Sequence, residues 1–262
     1  MPETAARSAR TQDDVASLAA IGILAACFTM VAHEALGHAV VCVAAGGHVV
    51  TLSSAFFRCS VDEAVIDAAG PLANMVLGAG SYVALQRARS PEMFLFLLML
   101  AGFNLYLGAG TLIYSGLLDV DDWAIAARDL AAPPAWRPCA IIVGAALYAL
   151  LTWQIGRRAG RTFGPTYSRL VRLIRVPYLA GSAAVCLSCA FNSATPVAAV
   201  VQGALEIGIA SCGFLRASRF AAQPQRMTDD HDRFDVPSSP SWIVASLVTL
   251  GIFIATLGRG FG

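Results

Sequence analysis

Seven runs of mostly apolar residues divide this chain, each close to the length that crosses a bilayer. They extend from about Val15 to Ala45, Ala64 to Leu85, Met93 to Tyr114, Cys139 to Ile155, Val176 to Phe191, Val197 to Leu215 and Trp242 to Leu257. A spanning helix needs about 20 such residues. Of the 262 residues, 13% are charged, about half the roughly 25% of soluble domains. Lipid offers backbone groups no hydrogen-bond partner, so such runs must satisfy themselves as helices. The predicted fold class is therefore all-α, a polytopic membrane helical bundle of about seven transmembrane helices.

The division that follows is a polar N-terminal tail (1–14), a membrane core (15–130) and C-terminal transmembrane helices (131–262) with no legible role. The first apolar run is too long for the core of a cleavable signal peptide and is expected to stay as an anchor. All 18 basic residues are arginines, and fourteen fall on one side of the predicted spans. Cytoplasmic loops carry such an excess. The expected location is the cell membrane, multi-pass, with the N-terminus cytoplasmic and the C-terminus extracytoplasmic. A net charge of +1 and the lack of a basic patch interleaved with aromatics give no reason to expect nucleic acid. Seven cysteines, an odd number lying mostly in apolar runs, read as small hydrophobes and argue against a disulfide scaffold. Cys186 and Cys189 form a C-x-x-C inside an apolar run and read as packing. The acidic group Asp229-Asp230-His231-Asp232 reads as a solvated loop.

Ionisable groups inside a membrane are costly and usually mark function. The first run contains His33-Glu34-Ala35-Leu36-Gly37-His38. Two imidazoles and one further protein ligand can hold Zn²⁺ and leave a position for water. A neighbouring carboxylate, here Glu34, then serves as general base. The usual motif spaces its histidines four apart on one helical face. Here they stand five apart, which on an ideal α-helix turns the imidazoles about 140° away from each other. A π-bulge adds one residue to a turn and restores the match. Gly37 gives the backbone freedom for it.

The hexapeptide resembles the His-Glu-x-x-Gly-His motif of the dipeptidyl peptidase III family, soluble zinc peptidases with the same extra residue. The membrane setting resembles the site-2 protease family, the intramembrane zinc metalloproteases of clan M50. Ala69-Gly70-Pro71-Leu72-Ala73-Asn74 is similar to that family's Gly-Pro-x-x-Asn element. Asn104 lies in the third run, where the family tends to carry an Asn. Ser115-Gly116-Leu117-Leu118-Asp119-Val120-Asp121-Asp122-Trp123 resembles the acidic element that supplies the third ligand. The resemblance covers roughly residues 28 to 125.

The resemblance implies a zinc-dependent metallopeptidase that cleaves membrane-protein substrates within the lipid bilayer. Its metal ligands would be His33, His38 and Asp122, with Asp119 as the alternative third ligand, and Glu34 would be catalytic. Asn74 and Asn104 would hold a substrate backbone or bridge helices, as membrane asparagines often do. Glu206 stands isolated in the sixth run. It is read as protonated, paired with an arginine, or lining a polar cavity. Two other classes remain open: a zinc amidase acting on lipid, and an inactive membrane scaffold or transporter.

Overall fold

The computed structural model describes residues 13–164, 166–221 and 234–262. Arg7, Arg10, Arg226, Arg233 and the Asp229-Asp230-His231-Asp232 group lie outside the described residues. Among the described residues, seven helices are long and apolar enough to cross a membrane. They are α1 (Val15–Ala44), α2 (Ala64–Arg87), α3 (Pro91–Leu118), α5 (Trp136–Phe163), α6 (Tyr167–Cys189), α7 (Pro196–Phe220) and α8 (Pro240–Gly258). A short helix, α4 (Asp122–Asp129), follows α3. The only strands among the described residues, β1 (Val49–Leu52) and β2 (Phe57–Cys59), form an antiparallel hairpin between α1 and α2. The all-α membrane bundle read from the apolar runs is the fold.

Local chemistry sets the helix starts. Asp14 caps α1, its side chain accepting from the Ser17 N–H. Ser90 caps α3 in the same way through Met93, with Pro91 in the first turn where a missing N–H costs nothing. At its far end α3 stops at Asp119, whose φ of 58° places it in the left-handed conformation. Arg137 donates to the carbonyls of Gly116 and Leu117 and satisfies two groups that the helix end leaves open.

Helices α1 and α3 are the most enclosed spans, while α5 and α8 face outward over most of their length. Helix α1 packs on α6, α3 and α8; α3 packs on α2 and α5. The C-terminal spans therefore close around the first three in one bundle. Small residues allow the closest crossings. Gly22 of α1 lies against the Pro177 backbone of α6, where any side chain would collide. Close backbone approach drives helix association in lipid, where the hydrophobic effect between spans is absent.

One expectation fails. Cys42, at the end of α1, forms a disulfide with Cys59 at the end of β2. The tight return of the hairpin brings these two together, and a cysteine count does not reveal a pairing made by a turn. The other five cysteines in the described residues are free, and Cys189 is buried against the Ser54 hydroxyl. Neither Cys186 nor Cys189 of the C-x-x-C pair is in a disulfide.

Candidate metal centre

Residues Val31–Ala39 of α1 are π-helical. The Val40 N–H bonds to the carbonyl of Ala35, five residues back. Residues five apart then stack, and His33 and His38 come onto one face. Their Nε2 atoms lie 3.3 Å apart. The distortion is thus a nine-residue stretch rather than a single bulged turn. Gly37 serves it differently from the sequence reading. Its φ is not positive, so conformational freedom is not what it supplies. A methyl there would meet the backbone of Ala69 and Gly70 in α2. Gly70 in turn leaves room for the imidazole of His38, which any side chain at that position would overlap. Gly70→Ala should therefore expel His38 from the centre and lower its affinity for a divalent metal ion, measured by competition with a chromogenic chelator. Unchanged affinity would count against the packing described.

Asp122 completes the cluster from the first turn of α4. Its Oδ2 is 3.1 Å from His33 Nε2, and its Oδ1 is 3.5 Å from His38 Nε2. Among the described residues, these three form the group able to hold a metal ion. All three are nearly enclosed: His33 and His38 are buried, and the Asp122 side chain is 15% exposed. Burial raises the Asp122 carboxyl, but the charges and hydrogen bonds of the two histidines outweigh it and hold the group below the usual carboxylate range. Asp119, the alternative third ligand, is not in the cluster. Its half-exposed carboxylate faces Arg128 and Arg137 at 3.6 and 4.0 Å. The left-handed turn at Asp119 ends the helix and points it away.

The outer shell fixes both imidazoles. His33 Nδ1 lies 2.6 Å from Asn74 Oδ1. The Asn74 amide nitrogen donates to the Thr29 carbonyl and to Asn104 Oδ1, which fixes the amide's orientation. Asn104 donates to Thr29 Oγ1 and the Leu100 carbonyl. Both asparagines are fully buried. Of the two roles left open for them, the geometry is that of helix bridges: they join α1, α2 and α3 and orient His33. His38 Nδ1 donates to the Ile66 carbonyl at 2.7 Å. Its ring stacks on Phe57 of β2, centroids 5.1 Å apart, so the disulfide-pinned hairpin walls the site. With each Nδ1 donating to an oxygen, each Nε2 presents a lone pair toward the oxygens of Asp122. Three acceptors converge, which is the arrangement a cation resolves. Ligating histidines typically hold their second nitrogen this way.

Glu34 is buried beside this cluster, in electrostatic contact with His33, His38 and Asp122. Its Oε2 has no hydrogen-bond partner. The sequence placed Glu206 apart from the motif, yet it is an electrostatic neighbour of Glu34 and His33. It sits in a second π-helical stretch, Ala204–Ile209 of α7, and accepts from Gln202 at 2.7 Å. Its position as an ionisable residue within a span was the only sign of this in the sequence.

Two cavities flank the centre. A polar one of about 250 Å³, bordered by Asp62, Glu63, Asp67 and Asp129, reaches Ile66, whose carbonyl holds His38. An apolar one of about 290 Å³ lies between α3, α5 and α7 and has Asp121 and Glu206 in its wall. Asp121 adopts φ 74° and ψ 178°, a conformation costing on the order of 1–3 kcal/mol outside glycine. That turn lets consecutive carboxylates diverge, Asp122 toward the histidines and Asp121 toward the apolar cavity. Burial, then the charge of Asp122, holds the Asp121 carboxyl up, to about 7. No family model, curated protein or solved structure matches the chain.

Proposed function

We propose that this chain is an intramembrane zinc metallopeptidase of the site-2 protease type. The observation that carries the reading is the convergence of three acceptors beside Glu34, a buried carboxylate whose Oε2 has no hydrogen-bond partner. The two Nε2 atoms stand 3.3 Å apart, and each has a different Asp122 oxygen beside it, Oδ2 at 3.1 Å from His33 and Oδ1 at 3.5 Å from His38. A tetrahedral site with arms of about 2.0–2.1 Å has edges of about 3.3–3.4 Å, the zinc geometry. Two imidazoles and one carboxylate also suit zinc better than the all-oxygen sets of Ca²⁺ or Mg²⁺.

His33, His38 and Asp122 would hold the ion. When bound, it polarises the scissile carbonyl and lowers the pKa of water toward about 7. Glu34 takes the proton of the attacking water at its free Oε2 and delivers it to the leaving amine. Asn74 keeps the His33 imidazole in the tautomer that offers Nε2 inward. The polar cavity supports a water supply from one side. The exposed side chains of Leu117 and Ile209 at the rim of the apolar cavity support lateral entry of a substrate segment from lipid. Purified wild type should carry about one zinc per chain, and His33→Ala and His38→Ala should carry none. Wild type that binds no zinc on titration would overturn the reading.

The location proposed is the cell membrane, with the metal centre toward the extracytoplasmic face. The arginine excess supports it, and so does the Cys42–Cys59 disulfide, because disulfides persist in oxidising compartments. A reporter fused after Gly262 should be active outside the cytoplasm. A cytoplasmic signal from that fusion would reverse the orientation.

A further inference from the structure

The mechanism leaves Glu206 unused, and its surroundings are unusual. It is 7% exposed within a membrane span. One oxygen accepts from Gln202, and the other, Oε2, is buried without a partner. The cavity it borders holds about 290 Å³, room for roughly ten waters at liquid density. Its walls are otherwise mostly apolar, and at the same end stands the carboxylate of Asp121, whose Oδ1 lies 3.5 Å from Gln202 Nε2. Glu34, Asp121, Asp122 and Glu206 thus gather four carboxyls in one region. Among the described residues, the arginine ion pairs involve Asp13, Asp119 and Asp235 and none of these four.

We propose that this cavity is the specificity pocket for a lysine side chain of the substrate segment, with the Glu206 carboxylate accepting its ammonium. The inference rests on the peptidase reading. A lysine matches the pocket in both parts, because its methylene stem suits apolar walls while its head needs a polar partner. An ammonium is preferred to a guanidinium. Glu206 has one free oxygen, whereas arginine's fork seeks two parallel acceptors. The pocket spans the last two turns of α3, from Gly110 to Leu117, and ends at Asp121. This is the depth at which a lysine on a membrane segment naturally reaches toward the interface.

Cys212 lines the same cavity and is a free, exposed thiol. It reports on the pocket without catalysis. In full-length zinc-loaded protein in nanodiscs, with Cys139→Ser and Cys186→Ser, labelling by 2-aminoethyl methanethiosulfonate is compared with the sulfonatoethyl reagent. Rates are normalised to those of a free thiol. The cationic reagent should be favoured by about 10- to 100-fold, the scale of a hydrogen bond to a charged group. Glu206→Gln should remove most of that preference, and Glu206→Asp should keep part of it. A preference identical in wild type and Glu206→Gln overturns the proposal. A second arm competes two membrane-inserted synthetic peptides that differ by lysine against norleucine at one position, scanned along the segment. Preferred cleavage of a lysine peptide, lost in Glu206→Gln, supports the pocket. Equal cleavage at every position overturns it. If neither peptide is ever cleaved while labelling still depends on Glu206, the peptidase reading falls and the cation pocket stands.

Discussion

Glu34→Gln should leave zinc bound and reduce turnover by about 10²- to 10⁴-fold, the usual scale for losing a general base. The substitution keeps the shape and volume of the side chain. On the peptidase reading it removes the group that would accept a proton and leaves His33, His38 and Asp122 unchanged. His33, His38 and Asp122 keep their mutual distances, and the Nδ1 contacts to Asn74 and Ile66 do not involve Glu34. Zinc content by elemental analysis and cleavage of a membrane-inserted peptide separate the two functions. Loss of metal together with activity would show that Glu34 helps hold the ion. Full activity would remove it from the proton-transfer role. The size of the effect also tests alternatives within the site, because Glu206 is the other buried carboxylate nearby. If Glu206 could substitute as base, Glu34→Gln would cost much less than this.

Much of the fold was legible because lipid imposes a simple demand. A segment that must satisfy its own backbone over the bilayer's width is readable as one long apolar run. All seven runs are helices, with ends displaced by up to nine residues where arginine-rich turns extend them, from Ile155 to Phe163 and from Val176 back to Tyr167. The five-residue spacing of His33 and His38 was equally informative. It conflicted with an α-helix, and the π-helical stretch resolves that conflict. What stayed hidden depended on tertiary approach. Gly37 and Gly70 read as flexibility and as a motif fragment, yet each is there because another backbone or an imidazole lies against it. The Cys42–Cys59 pair depended on a hairpin too short to stand out in an apolar chain. Glu206 is 168 positions from His38, and nothing local in the sequence indicates that α7 brings it beside α1.

Asp122→Ala should abolish stoichiometric zinc binding, whereas Asp119→Ala and Asp121→Ala should retain it. The three aspartates lie within four residues, so composition and gross charge are nearly matched among the variants, and geometry alone separates them. Asp122 places both oxygens 3.1 and 3.5 Å from the two imidazoles. Its removal leaves two histidines facing each other with no anionic partner. Affinity should then fall by more than the about 10- to 100-fold that an outer-shell change costs. Asn74→Ala supplies that smaller comparison, since it unties His33 without removing a ligand. Asp119 faces Arg128 and Arg137 in a half-exposed setting, where an ion pair contributes at most about 1 kcal/mol. Asp121 faces the neighbouring cavity and Gln202. Zinc titration of the four variants by competition with a chelator should therefore rank Asp122→Ala weakest, Asn74→Ala intermediate, and the other two near wild type. If Asp119→Ala alone lost the metal, the turn after α3 would have to rearrange on binding. The third ligand would then be the one the sequence offered as its alternative.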